Sequence, residues 1–135
     1  GSPATGWQPV SVPATLSAPT RAGHRTIGRV VVQWGRLWPA QPKPNIHPKA
    51  GPVRTLRPAA YMLQVSADGR RWLTVAAVSG HRNRVTDTLT FPKVRIRFVR
   101  LRITRGTGIS VKQTINNKKV IVRQMPMLQE LTTTP

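Results

Sequence analysis

The stretch YMLQVSADGRRWLTVAAV, from Tyr61 to Val78, decides the fold class. Tyr61, Leu63 and Val65 alternate with positions 62, 64 and 66, which is the period-two pattern of a strand with one buried face. Ala-Asp-Gly-Arg at 67–70 is a turn signal, and an Asp-Gly pair between two apolar runs is typical of a β-hairpin. Apolar residues then resume over 71–78. The stretch therefore predicts two antiparallel strands joined by a tight turn.

Apolar runs of strand length recur along the rest of the chain. They are bounded by Gly, Pro and Asp, and no segment shows a convincing 3.6-residue apolar period. The predicted strands are Thr26–Trp34, Val85–Phe91, Val94–Ile103, Val120–Val122 and Leu128–Leu131. Within Val94–Ile103 the apolar parity slips at Phe98-Val99, which indicates either a β-bulge or a bend between two faces. Together the strands predict an all-β protein, an antiparallel sandwich or barrel.

Charge limits the classes of function. The 135-residue chain has 22 Lys and Arg residues against three acids, Asp68, Asp87 and Glu130, and its formal net charge is +19. A catalytic carboxylate pair would need most of those acids, so we expect a protein that is not an enzyme. The basic excess favours a polyanionic partner or setting. The absence of cysteine excludes disulfides and thiolate metal sites.

Length and proline content define the organisation of the chain. We expect a single domain over 1–135 that is part of a larger protein. Its two long connections are a proline-rich loop over 35–59 and a second loop over 105–119. Ordered loops longer than about 12–15 residues are uncommon and often functional. No apolar run approaches the ~20 residues that a membrane-spanning helix needs, so we expect no transmembrane segment.

The YMLQVSADGRRW element at 61–72 resembles the Y-x-[IL]-x-[VS]-S-x-D-G-x-x-W signature of the discoidin, or coagulation factor 5/8 type C, family. That family includes the family 32 carbohydrate-binding modules. Three further stretches are similar to family segments in the right order: VVVQWG at 30–35, RFVRLRITRGTG at 97–108 and MLQEL at 127–131. SPATGW at 2–7 resembles the early D-G-x-x-x-T-x-W, with Thr5 and Trp7 in register. The resemblance implies a jelly-roll, galactose-binding-like antiparallel β-sandwich that binds its ligands through variable loops at one end.

The same resemblance bears on metals and on the framework. The residues that match its pattern at framework positions are Tyr61, Asp68, Gly69, Trp72, Arg97 and Glu130. In relatives, the early aspartate region helps to form a structural calcium site, and that aspartate is absent here. We therefore expect no calcium, no other metal and no cofactor.

The proline-rich loop is the best-equipped candidate for ligand contact. Trp38 lies between Leu37 and Pro39, where a rigid loop would present the indole to a sugar face. The alternative is that Trp38 caps the end of the core. Arg36, Arg54 and Arg57 are donors in the same loop, and its prolines lower the entropy lost on ordering. We predict that Trp38→Ala weakens glycan binding by about 1–3 kcal/mol, by analogy with base stacking, and leaves stability nearly unchanged.

A second short loop joins this candidate site. His81, Arg82, Asn83 and Arg84 are side chains that serve as fixed donors in sites that bind hydroxyl groups. An ordinary polar turn is the simpler explanation of the same residues. The sequence Asn-Asn-Lys-Lys at 116–119 is most simply explained as a charged hairpin tip.

Basic residues of the predicted strand Val94–Ile103 form a second candidate surface. Arg95, Arg97, Arg100 and Arg102 alternate with its apolar residues, and no local acid answers them. The alternatives are a solvated strand face and a surface that binds a polyanion. With Lys112, Lys118 and Lys119 they make up the predicted polyanion-binding set.

Tryptophans on strand patterns have a simpler explanation. Trp34 and Trp72 have apolar neighbours in predicted strands, so we expect both to pack in the core. On that basis Trp72→Ala should cost about 3–5 kcal/mol of stability.

The function that these observations favour is a non-catalytic carbohydrate-binding module of an exported or cell-envelope protein. Its expected location is extracellular, periplasmic or associated with the envelope, and its expected state is monomeric. The partner is a glycan or polysaccharide, and the charge favours either an acidic one or a neutral one near an anionic envelope. The alternative is binding of anionic lipid or of a general polyanion, including nucleic acid, through the basic surface.

Overall fold

The computed structural model describes residues 4–20, 23–37, 54–80 and 84–135. Within those ranges the chain forms strands and no helix, and hence no helix long and apolar enough to cross a membrane. The strands are β1 (Ala4–Trp7), β2 (Ala14–Pro19), β3 (Arg25–Trp34), β4 (Arg36–Leu37), β5 (Arg54–Thr55), β6 (Ala60–Ser66), β7 (Leu73–Ser79), β8 (Thr86–Ile96), β9 (Phe98–Arg105), β10 (Ser110–Ile115), β11 (Lys118–Arg123) and β12 (Leu128–Thr134).

Two four-stranded antiparallel sheets carry the fold. The first sheet has the order β1-β12-β3-β8, and the second sheet has the order β2-β9-β6-β7. Two short ladders, β4-β5 and β10-β11, stand apart from both sheets. The prediction of an antiparallel β-sandwich is thus confirmed.

The core lies between the inner faces of the two sheets. The first sheet contributes Ile27, Val30, Val32 and Trp34, each with no exposed surface. The second contributes Tyr61, Leu63, Val65, Val99, Leu101 and Ile103, all at most 2% exposed. The rings of Trp34 and Tyr61 meet edge to face at 5.2 Å between centroids, which joins the two sheets directly.

The hairpin that decides the fold class forms as predicted. β6 pairs with β7 from Ala60 opposite Ser79 to Val65 opposite Leu73. In the turn between them, the Asp68 carboxylate accepts hydrogen bonds from the backbone N–H groups of Arg70 and Arg71, at 2.8 and 2.9 Å. Gly69 has a φ of +79°, and a Cβ there would meet the Phe98 ring at 3.2 Å. Both constraints favour glycine.

The predicted strand Val94–Ile103 is wrong as a single element. β8 ends at Ile96 in the first sheet, and β9 begins at Phe98 in the second. Arg97 is the corner, where its N–H bonds to the Ser66 carbonyl at 2.9 Å and its carbonyl accepts from Thr20 at 2.7 Å. The slip in parity marks this change of sheet, so the bend is the correct one of the two alternatives.

The predicted strand Val120–Val122 does not close the sandwich. It lies within β11, which pairs only with β10 in a hairpin that interrupts the predicted 105–119 loop. Asn116 and Asn117, with φ of 51° and 64°, form its two-residue turn. Side-chain amides tolerate this left-handed conformation, which is why an Asn pair suits a tight hairpin turn.

Candidate functional site at the loop end

Four connections leave the sandwich at the same end, which we call the loop end. They are 8–13, 35–59, 80–85 and 106–127. In the first sheet, Leu128 lies opposite both Trp7 and Trp34. In the second, Ala60 lies opposite Ser79 and Arg105. The opposite end carries the 20–24 connection, the Asp68 turn and the Arg97 corner.

Backbone hydrogen bonds tie the bases of these connections together. Gly35 donates to the Met127 carbonyl at 2.7 Å, Leu56 donates to Gly35 at 2.8 Å, and Met127 donates to Leu56 at 2.9 Å. Ala59 donates to the Gly106 carbonyl at 2.8 Å and accepts from Gly80 at 3.1 Å. The loops of both sheets therefore rise from one fixed base, which reduces the ordering cost of a site built on them.

A buried polar cluster around Asp87 supports this base. The carboxylate is 2% exposed and accepts hydrogen bonds from Tyr61 Oη at 2.6 Å, Arg57 Nε at 2.9 Å and Trp34 Nε1 at 3.0 Å. The second oxygen accepts from Arg57 Nη2 at 3.3 Å. Arg57 also donates to the carbonyls of Pro58 and Gly80. The cluster joins the 35–59 connection, β3, β6 and β8.

The cluster fixes its own protonation. Burial by itself raises the pKa of Asp87, but the hydrogen bonds from Arg57, Tyr61 and Trp34 outweigh it and hold that pKa below its ordinary value. Burial first, and then the hydrogen bond to Asp87, raises the pKa of Tyr61 far above its ordinary value. At neutral pH the carboxylate is ionised and the phenol is a donor.

Arg57 therefore occupies a different place from the one expected of a ligand donor. Its side chain has 0% exposure, and its guanidinium donates hydrogen bonds to Asp87 and to two backbone carbonyls. Arg57 points inward because a buried carboxylate is destabilising unless a buried cation compensates its charge. A signal for this was present in the sequence: Asp87 shares the parity of Val85 and Leu89 in a predicted strand, so it had to point inward.

A groove of about 700 Å³ opens at the loop end between the 8–13 connection and the base of the β10–β11 hairpin. Its polar lining includes Arg105, Ser110, Arg123 and Gln124, and its apolar lining includes Val10, Val12, Ile109 and Met125. No local sequence pattern indicates this groove, because its two walls are more than 90 residues apart in the chain.

The floor of the groove is held by hydrogen bonds. Thr107 is 3% exposed, and its hydroxyl donates to the Gln124 carbonyl at 2.6 Å and accepts from the Ile109 N–H at 3.1 Å. Gln124 in turn donates its N–H to the Ile109 carbonyl at 2.8 Å. The groove is thus shaped by backbone that the fold fixes in place.

The other predicted ligand residues lie partly outside the described residues. Trp38, His81, Arg82 and Asn83 fall there, so their roles stay predictions. Arg36 is exposed and lines a smaller depression of about 580 Å³ beside Gln33 and Thr86. Arg54 is exposed opposite Leu37 in the β4-β5 ladder. Arg84 is 52% exposed, with Nη1 at 4.0 Å from Asp87. Arg36, Arg54 and Arg84 all stand at the loop end.

The predicted polyanion-binding arginines do not form one row. Arg95 is exposed on β8 of the first sheet, whereas Arg97 is at the corner and Arg100 and Arg102 are on β9 of the second sheet. The change of sheet at the corner separates them. Lys112, Lys118 and Lys119 are exposed on the β10–β11 hairpin.

The core assignment is confirmed for Trp34 and wrong for Trp72. Trp72 is half-buried on the outside of the second sheet, and the Arg100 guanidinium lies over its ring at 4.1 Å from the centroid. Trp72 precedes the first paired residue of β7, so the apolar run that follows it does not fix its direction. The aromatic ring covers an arginine instead of filling the core.

The three acids are dispersed over the molecule. Asp87 is buried at the loop end, Asp68 is in the turn at the opposite end, and Glu130 is on β12 in the first sheet. Hydrogen bonds from the N–H groups of Arg71 and Arg70 lower the pKa of Asp68 to about 2. Among the described ranges no group of three or more His, Asp or Glu side chains could hold a metal ion.

Comparison with known proteins identifies the fold. Neither a protein-family model nor a curated protein matches the chain. Among solved structures, the module CpGH89CBM32-6 of Clostridium perfringens has a TM-score of 0.55 and 14% identity, covering 99% of this chain and 79% of that one. Chitosan-binding module 1 from a chitosanase/glucanase of Paenibacillus sp. IK-5 has a TM-score of 0.52 and 20% identity, covering 97% and 74%. The chain thus has the β-sandwich fold of these carbohydrate-binding modules.

Proposed function

We propose that the protein is a non-catalytic carbohydrate-binding module whose ligand occupies the groove at the loop end. The observation that carries the proposal is the composition of that groove on a fixed base. Guanidinium, amide and hydroxyl groups stand beside apolar side chains, which suits a sugar with polar hydroxyls and apolar C–H faces. The fold likeness to a chitosan-binding module and to a C. perfringens module supports the same class of ligand.

The distribution of acids supports a binding role without catalysis. Glycoside hydrolysis ordinarily uses two carboxyl groups on either side of one bond. Here Asp87 is enclosed by its donors, and Asp68 lies at the opposite end of the sandwich. Among the described residues that line the groove, none carries a carboxylate.

Charge favours an acidic sugar as the ligand. Arg105 and Arg123 are the charged residues of the groove lining, and both are exposed. Guanidinium groups bind carboxylates in a bidentate manner, and no acid of the groove competes for them. The arrangement therefore favours a glycan with uronate or other anionic groups.

The wider setting follows from this role. A polysaccharide-binding module acts where polysaccharide is found, so we propose an extracellular, periplasmic or envelope location and a monomeric module within a larger protein. Leu37 and Arg54 lie opposite each other at the loop end. Trp38 remains a proposed stacking residue, and His81, Arg82 and Asn83 remain proposed hydrogen-bond donors.

The test is a variant that fills the groove. Ser110 is an exposed strand residue in the groove lining, so Ser110→Trp should block the site and leave the core intact. Thr88→Trp is the matched control, because Thr88 is exposed on β8 of the first sheet. A glycan array should identify the bound sugars, and calorimetry should show that Ser110→Trp weakens their binding about tenfold or more. Equal affinities for the two variants would place the ligand elsewhere.

A further inference from the structure

We propose that an anionic polysaccharide runs out of the loop-end groove along β9, across the outer face of the second sheet. This inference rests on the proposed function and extends it from a groove for one or a few sugar units to a track for a polymer. The basic residues of the track are Arg97, Arg100, Arg102 and Arg105.

These four arginines follow one another in the chain, from the corner before β9 to the end of β9. Arg105 ends β9 and lines the groove. Arg102 and Arg100 alternate with the buried Leu101 and Val99, which places both on the outer face. Arg97 joins them because its guanidinium lies over the ring of Phe98, at 5.7 Å from the centroid. Arg100 and Arg102 are successive outward positions of β9, which are about 7 Å apart on a strand.

No carboxylate neutralises this series. Arg100 lies between Ser17 and Gln64 on the adjoining strands, and Arg102 lies between Thr15 and Met62. Among the described residues the ion pairs are those of Asp87 with Arg57 and Arg84, inside the loop end. Neighbouring like charges repel when nothing compensates them, and an anionic polymer would remove that cost.

Arg100 is held in position before any ligand binds. Its Nε donates to Gln64 Oε1 at 2.7 Å, and Gln64 Nε2 donates to the Thr74 hydroxyl at 3.0 Å. The Trp72 ring supports the guanidinium from one side. Holding a long side chain in one place lowers the entropy that is lost on binding.

The surface suits a polysaccharide better than nucleic acid or a membrane. Arg100 covers the Trp72 ring and Arg97 covers the Phe98 ring, so bases would lack free aromatic faces for stacking. β2 and β9 expose no large apolar side chain for insertion into lipid. Hydroxyl groups flank the track instead, at the exposed Thr15 and Ser17.

The test compares two double variants that remove the same charge. Arg97→Gln/Arg102→Gln removes two of the four arginines of the track and leaves the groove intact. Arg29→Gln/Arg95→Gln is the control, because both residues are exposed on the first sheet. Binding to polygalacturonate, dextran sulfate and neutral dextran is measured at graded salt, beside trigalacturonate, a single-stranded DNA oligonucleotide and phosphatidylserine vesicles.

We expect the track variant to bind polygalacturonate or dextran sulfate about tenfold more weakly than the control variant. Trigalacturonate, which fills only the groove, should bind both variants equally. Equal polymer affinities for the two variants would overturn the track, as would tighter binding of the oligonucleotide or the vesicles than of both anionic polysaccharides. Failure of the proposed function is distinguishable, because it requires that Ser110→Trp leave trigalacturonate binding unchanged.

Discussion

At the scale of single residues, Asp87 organises the loop end. The chain has three acids, all in the described residues, and Asp87 is the buried one. Its carboxylate accepts hydrogen bonds from Trp34, Arg57 and Tyr61. Replacing a buried ion pair with apolar residues can be neutral, but removing one partner leaves an uncompensated charge. Removal of the Asp87 carboxylate is therefore expected to lower the stability of the protein, because it leaves the Arg57 guanidinium buried without a counter-charge.

Asp87→Asn should destabilise the protein by about 3–5 kcal/mol, because the Arg57 guanidinium would remain buried without its counter-charge. Glu130→Gln is the control, since Glu130 is half-exposed and forms no ion pair in the described chain. Urea unfolding at pH 7 measures both changes. Similar, small losses for the two variants would show that the cluster contributes little.

The pH dependence of stability follows from the same groups. Asp68 and Asp87 have pKa values below the ordinary value, so the stability they confer is present above about pH 4 and is lost as pH falls. For Asp68 the loss should extend to pH about 2. The pKa of Tyr61 is raised, so its contribution is present at neutral pH and is lost above about pH 10.

We expect the unfolding free energy to be flat over about pH 5–9 and to fall on both sides. Asp68→Asn should make the acid limb shallower and leave the alkaline limb unchanged. Thermal unfolding across the pH range measures this. An acid limb of the same slope in the variant would remove Asp68 from the account.

At the scale of elements, β9 matters because it serves both faces of the second sheet. Its inward residues, Val99, Leu101 and Ile103, complete the core, and its outward residues form the basic track. The local alternation of β9 was predictable from the sequence. Its separation from β8 was not, because the corner at Arg97 depends on contacts with Ser66 and Thr20, which are distant in the chain.

The two strand tryptophans should respond differently to truncation. Trp34→Ala should cost about 3–5 kcal/mol, as usual for a buried aromatic residue. Trp72→Ala should cost only about 1–2 kcal/mol, because the half-buried ring contributes partial burial and a cation–π contact. Chemical denaturation of both variants measures the difference. Equal losses of stability in the two variants would show that Trp72 packs in the core.

The β10–β11 hairpin should be dispensable for folding. Ser110 and Arg123 lie opposite each other, neither strand is part of the two sandwich sheets, and none of the described side chains of β10 and β11 belongs to the buried core. Replacing 111–122 with Asn-Gly should therefore close the ladder with a tight turn and retain cooperative unfolding. Calorimetry should show a midpoint within about 4 °C of the parent. Loss of the cooperative transition would show that the hairpin is part of the folding unit.

At the scale of the whole molecule, the fold was more predictable than the site. Period-two alternation at Tyr61–Val65 and at Val30–Trp34 is a local property, and it predicted an antiparallel sandwich or barrel. The family resemblance specified the sandwich. The groove joins Val10 to Arg105 and Met125, which no local pattern links. The burial of Arg57 likewise depends on Asp87, 30 residues away. The family resemblance predicted that the ligand binds to loops at one end of the sandwich. It did not predict which side chains line the groove there.

The most direct test of the central claim is an NMR titration of the ¹⁵N-labelled chain with trigalacturonate, repeated with a neutral chito-oligosaccharide. The account predicts saturable shifts of backbone amides at 104–110 and 123–125, larger for the acidic sugar and persisting at salt concentrations that screen surface charge. Saturable shifts confined to the outer face of the first sheet, around Arg29 and Thr88, would contradict it. So would the absence of saturable shifts with both sugars.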